Sequence, residues 1–240
     1  MAYTDFERDY LGRRGINVDK VVVIGGGVDP AAFGGVDGSA VRQRRGWGAD
    51  PIIATVAQHL PHKRIDLLIK AMWRVWETHP AARLLVIGRP ASETDQLVSL
   101  IHGYPVERQE RIALVTEFSQ ADKAELLAAC DVFAMLSSHE SFGLVFLEAW
   151  ACGKPVIGSA IGAVPGVIDE GVDGLLVPYG DADAAGQAIC QLLGDPEARA
   201  GMGSRGRAKV RARFSWDAIV PRFRETYLAA IRTNRGAHKP

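Results

Sequence analysis

Much that would classify this chain of 240 residues at a glance is missing from it. Only three cysteines occur, Cys130, Cys152 and Cys190, too few and too far apart for a disulfide framework or a zinc site. They read as buried thiols in a reducing compartment. Neither charge is in excess, since 28 Lys and Arg face 28 Asp and Glu, which argues against nucleic-acid binding through bulk positive charge. No apolar run reaches the roughly 18 residues of a membrane span, and no signal peptide opens at Met1. Internal repeats and low-complexity linkers are absent too. With 48% hydrophobic residues the chain can bury a sizeable core, so disorder, collagen, coiled coil and disulfide scaffold are all excluded.

What the chain does have is alternation. Short apolar runs at 21–24, 52–56, 84–87, 112–115, 132–136, 155–158 and 175–177 read as strands. Most lack in-out alternation, as strands covered on both faces do. Helical patterns lie between them at 63–78, 92–101, 119–130, 142–152 and 181–193. Ser119 and Asp181 are placed to cap helix N-termini, and Gly103, Gly153 and Gly194 follow helix ends. This order predicts an α/β fold, a doubly wound and mainly parallel sheet with helices on both faces. Trp73 and Trp76, on the helix at 63–78, read as helix-to-sheet core. The expected organisation is a linker remnant at 1–20, a Rossmann-like domain at 21–213, a closing amphipathic helix at 214–233 and a flexible tail at 234–240.

Charge is level overall but not locally. From Arg199 to Lys239 eleven Lys and Arg meet only Asp217 and Glu225, so this stretch carries +9. It reads either as a solvated helix face or as a surface for anionic lipid or an acidic partner.

Ligands of open parallel sheets bind beyond the carboxyl ends of the strands. The richest strand-to-helix turn there runs from Leu136 to Leu144 and leads into a helix carrying Glu148. The amides of Phe142, Gly143 and Leu144, at the partly positive end of that helix, suit a phosphate. Glu148 can accept two hydrogen bonds from vicinal ribose hydroxyls, and Glu140 can grip an attached sugar. Gly25-Gly26-Gly27 makes a poor dinucleotide fingerprint, because its third glycine would fall at Pro30.

The segment 137–157, with Glu140 and Glu148 eight apart, resembles the E-x7-E signature of retaining GT-B glycosyltransferases, specifically family 4, also called group 1. The resemblance covers nearly the whole chain but only that family's C-terminal, donor-binding half. Gly27-Val28-Asp29 resembles the segment opening that half, and Gly162-Ala163-Val164-Pro165, Asp173-Gly174-Leu175 and Phe214-Ser215-Trp216 match later loops and the closing helix. Some positions differ: Ala57-Gln58 stand where the family often has Gly-Arg, Gly26 where it has Asn, Leu136 where Pro is usual, and Gly166 where Glu is common.

The resemblance implies a hexosyltransferase that keeps the anomeric configuration and uses a nucleotide-diphosphate sugar, with no cofactor and no metal. Glu140 would be catalytic, while Lys63, Phe142, Gly143, Leu144 and Glu148 would bind the donor. It further implies an N-terminal acceptor domain, either missing here or supplied by another chain. None of the six histidines is an obvious substitute for that domain's histidine, and His139 reads as packing or solvated. The expected location is the cytoplasm, with the basic helices as a contact for the inner membrane face. A nucleotide-sugar binding module without transfer, or one subunit of a split enzyme, is the alternative; an epimerase of similar architecture fits the E-x7-E context less well.

Overall fold

The computed structural model describes residues 1–237, with side chains as far as Arg232. Six strands, β1 (Ile52–Val56), β2 (Arg83–Ile87), β3 (Ile112–Val115), β4 (Val132–Met135), β5 (Val156–Ser159) and β6 (Gly174–Val177), form one sheet. Its order is β3-β2-β1-β4-β5-β6 and every pairing is parallel. This is the Rossmann-like architecture expected for the C-terminal domain of a GT-B fold. The order reverses between β1 and β4, so the loops leaving those two neighbours diverge and open a crevice.

Helices α1 (Asp5–Arg13), α2 (Ser39–Arg44), α3 (Ile65–Thr78), α4 (Thr94–His102), α5 (Val106–Gln109), α6 (Gln120–Ala129), α7 (Leu144–Ala151), α8 (Ala182–Gly194), α9 (Pro196–Lys209) and α10 (Trp216–Ala237) accompany the strands. Successive strand residues feed opposite layers. Ile53, Leu84, Val86, Val132 and Ala134 pack with Leu68, Met72 and Ile189 of α3 and α8. Phe133, Met135 and Val156 pack instead with Phe146, Leu147 and Trp150 of α7. Ile52, Ala54, Leu85 and Ile87 complete that face with Val41, Trp47 and Leu126. Both faces being covered is why the strands show no polar alternation.

Ser119 forms a capping box with Asp122, and the Asp181 side chain accepts from the Ala184 amide, as their positions before the helices foretold. Several expectations need correction. Residues 21–24 form no sheet strand; only Val23 bridges Ala2, and Val22 is exposed. An apolar run stays out of a sheet when no neighbouring edge is offered to it. The stretch 1–20 is more than a linker, since it holds α1, capped by Thr4. Trp76 is buried and donates to the Ala82 carbonyl at 2.9 Å, but Trp73 lies 53% exposed on the outer face of α3. Cys130 and Cys152 are buried, whereas Cys190 is only half-buried. The closing helix runs on to Ala237, so 234–237 continue it, and 238–240 lie outside the described residues.

Part of the basic stretch is tied to the body of the domain. Arg199 donates to the carbonyls of Leu192 and Leu193, Arg205 to that of Val172, and Lys209 reaches Asp173 at 2.7 Å beneath the Trp150 ring. Arg and Lys used this way staple α9 onto the body. Arg211, Arg213 and Arg224 remain at the surface.

Candidate functional site

The loop after β1 is a tight construction. A 3₁₀ turn over Pro61–Lys63 passes into α3 through Arg64, the sole non-glycine residue among those described with a left-handed backbone, at φ +48°. Such a conformation costs about 1–2 kcal/mol. Arg64 is locked in it by a paired contact to Asp66, at 2.9 and 3.2 Å, and by donation to the Tyr179 hydroxyl at 2.9 Å. These bonds hold the Arg64 guanidinium pKa well above its ordinary value, with the Asp66 hydrogen bond as the main cause. On the other side the His62 carbonyl accepts the Ser138 amide at 2.8 Å. Lys63, between the two anchors, extends its ammonium to Glu140 Oε2 at 2.8 Å.

Glu140 comes from the loop after β4, so this ion pair spans the point where the strand order reverses. Both side chains are mostly buried, 21% and 12% exposed. Three residues on, Gly143 takes φ +85° and begins α7 without any side-chain cap. A Cβ there would fall 2.5 Å from the Phe146 ring, so glycine is required on both conformational and steric grounds. The first-turn amides of α7 are consequently left without a protein partner from the cap position. The Phe142 ring turns inward, packed edge-on against Phe214 at 5.5 Å.

Two adjoining cavities open over this crevice. One of about 910 Å³ is lined by Lys63, Ser138, His139, Glu140 and Ser141, together with Ile161, Gly162 and Phe6 of α1. The other, about 620 Å³, is lined by Gln58, Lys63, Arg89, Ser119, Gln120, Lys123 and Val145. Lys63 belongs to both walls. Phe142, Gly143 and Leu144 lie along the chain between Ser141 in the first wall and Val145 in the second. His139 is exposed and shares a 2.9 Å hydrogen bond with Ser138, in keeping with a solvated residue.

Glu148, the fifth residue of α7, stands behind the second cavity rather than in its wall. Lys123 comes between, with Nζ 2.7 Å from Glu148 Oε1. The other oxygen, Oε2, is buried and has no hydrogen-bond partner. Burial pushes the Glu148 carboxyl pKa up, and the Lys123 ammonium offsets only part of that rise. Reading the sequence for loop residues misses Lys123 altogether. A signal was there nonetheless: Lys123, Leu126, Leu127 and Cys130 recur at helical spacing, which puts the lysine on the buried stripe.

The geometry accords with what comparison shows. The family profile described as glycosyl transferases group 1 matches residues 39–209, and the chain belongs to that family. Over 194 residues it is 34% identical to the GDP-mannose-dependent monoacylated alpha-(1-6)-phosphatidylinositol monomannoside mannosyltransferase of Corynebacterium glutamicum, covering 78% of this chain and 49% of that protein. It is likewise 34% identical over 259 residues to the D-inositol 3-phosphate glycosyltransferase of Kineococcus radiotolerans, covering 99% and 59%. The chain therefore spans about half the length of the relatives it matches. Among solved structures, Anabaena HepE in complex with UDP superposes with a TM-score of 0.87 at 24% identity, over 95% of this chain and 63% of that one. Sucrose-phosphate synthase from Thermosynechococcus elongatus gives 0.83 at 28% identity, over 97% and 58%.

Proposed function

We propose that this chain is the donor-binding half of a retaining hexosyltransferase, taking a nucleotide-diphosphate sugar in the crevice between the β1 and β4 loops. The observation that carries this reading is the Lys63–Glu140 pair at the strand-order reversal, beside the uncapped start of α7. The diphosphate lies against Lys63 and the amides of Phe142, Gly143 and Leu144. Glu140, released from Lys63 as the phosphates arrive, holds the hydroxyls of the sugar. Glu148, now screened from the second cavity by Lys123, meets the ribose once that lysine swings aside and frees Oε1. When the sugar departs, charge grows on the leaving diphosphate, and a lysine with fixed amides stabilises it without calling on a metal ion. UDP in the Anabaena structure and GDP-mannose in the name of the Corynebacterium relative support a nucleotide-sugar donor.

The acceptor site belongs to residues outside this chain, in an N-terminal domain of the same or another polypeptide. Transfer requires donor and acceptor to be held together, so the isolated chain binds donor but turns it over slowly or not at all. We place the protein in the cytoplasm, with Arg211, Arg213 and Arg224 facing the inner membrane surface. No helix among the described residues is long and apolar enough to cross a membrane.

Calorimetry with UDP, GDP, ADP and their hexose conjugates tests the reading. Glu148→Ala should weaken every nucleoside diphosphate, whereas Glu140→Ala should weaken only the sugar-bearing ligands. Equal losses in both variants would sink this division of labour, and turnover by the purified chain would sink the missing acceptor site. Binding without transfer, even when an acceptor domain is supplied, would favour the non-catalytic module.

A further inference from the structure

Three cations line the second cavity, and they are not equivalent. Lys63 is 2.8 Å from Glu140 and Lys123 is 2.7 Å from Glu148, so each lysine is matched by a carboxylate of its own. Arg89 has no carboxylate within ion-pair distance, and its guanidinium makes no hydrogen bond among the described residues. The positive charge that this cavity presents without a counter-charge is therefore that of Arg89. Its backbone is well held, since its carbonyl accepts the His59 amide at 3.1 Å and Pro90 follows at once. The side chain is left exposed at the carboxyl end of β2, and it lines the cavity together with Lys63 and Val145 of α7.

An unpaired guanidinium on a held backbone presents a planar fork of donors, which matches two oxygens of a phosphate group. We propose that Arg89 takes the charge of the diphosphate, sharing it with Lys63 in the cavity they both line. The proposal rests on the nucleotide-sugar reading above and adds to it the residue that draws the anion in. Because Lys63 must give up Glu140 to bind phosphate while Arg89 gives up nothing but water, Arg89 makes the larger contribution to affinity for the bare anion.

Calorimetry with inorganic pyrophosphate, UDP and GDP, at low and moderate salt, tests this on the intact chain. Arg89→Gln should cost about tenfold or more in affinity, equally for all three ligands, and flatten the salt dependence. Its thermal midpoint should stay that of the parent, because the exposed side chain makes no ion pair or hydrogen bond among the described residues. Gln58→Arg lies on the same wall one strand over and should restore pyrophosphate binding in the Arg89→Gln background. No recovery there would mean that the loss came through the turn rather than the charge, and would overturn the proposal. Unchanged binding by Arg89→Gln would overturn it too, as would a loss seen with GDP but not pyrophosphate, which would make Arg89 a reader of the base. If the parent chain takes pyrophosphate but gains nothing from the nucleoside, the nucleotide reading falls while Arg89 stands. If it takes none of the three, both fall.

Discussion

The two ends of the sheet both carry ion pairs, but of different kinds. At the amino end Arg42 joins Asp131 at 2.7 Å and also donates to the carbonyls of Ala129, Gly48 and Asp50. Asp131 accepts the Ile52 amide as well, and Asp50 gathers Arg83 and Arg111 at 2.7 and 2.8 Å. Each carboxylate there gathers two donors on one oxygen, and Arg42 alone serves four acceptors. At the carboxyl end the paired cations that line the cavities are lysines, each with a single carboxylate, and Glu148 keeps one oxygen unpartnered. A rigid fork that binds several groups at once makes a lock; a compact ammonium on a flexible stem can change partners. Among the paired cations, the choice therefore separates the end that holds the strands together from the end proposed to exchange protein contacts for a ligand.

The sharpest way to break this contrast is Arg42→Ala, which strips Asp131 and three carbonyls of their donor. A loss of about 3 kcal/mol is expected in urea denaturation, with nucleoside diphosphate affinity unchanged. Next comes Lys123→Met, which leaves Glu148 buried without its cation and should cost about 2 kcal/mol. Adding Glu148→Gln should recover most of that stability, yet ligand affinity should stay low in both variants. Lys63→Ala should cost about 1 kcal/mol of stability, less than Lys123→Met because Glu140 lines an open cavity, but weaken nucleoside diphosphates by about tenfold in calorimetry. The smallest effect concerns His59, fully buried beside Thr94, whose burial lowers its imidazole pKa from 6.5. The unfolded chain protonates this ring near pH 6.5 and the folded chain only at lower pH, so unfolding takes up a proton in that window. Stability should thus fall as pH drops below 6.5, and His59→Gln should flatten that part of the profile.

The same contrast governs what could be read from the sequence. All six sheet strands were legible, because burial on both faces leaves continuous apolar runs that turns punctuate. Helix α9 was not, since its sequence is polar and rich in glycine, which argues against a helix. Packing overrides that propensity: a Cβ on Gly203 would fall 2.0 Å from the Gly153 carbonyl oxygen, and one on Gly206 would fall 2.0 Å from Trp150. Only glycines let this helix come so close. In the site, Lys63, Glu140 and Glu148 could be named singly from the motif. That Lys63 meets Glu140 follows from β1 and β4 being neighbours, a fact of topology rather than of local pattern. Lys123 and Arg89 escaped because a lysine in a helix and an arginine in a turn look like surface until partners, or their absence, are seen in space.

The π-helical turn at Val210–Phe214 hands the chain from α9 to α10, and its last ring is the one that meets Phe142. The Phe214 carbonyl also takes the Val28 amide at 2.9 Å, while Trp216 crowds Gly27. The long terminal helix is thus rooted in the same aromatic joint that supports the glycine opening α7. Swinging that helix like a tiller would oblige Phe142 to repack, and the neighbouring amides would feel the displacement directly. A far-off event, such as a second lobe settling on the helix, would thereby have a mechanical route to the place proposed for the anion.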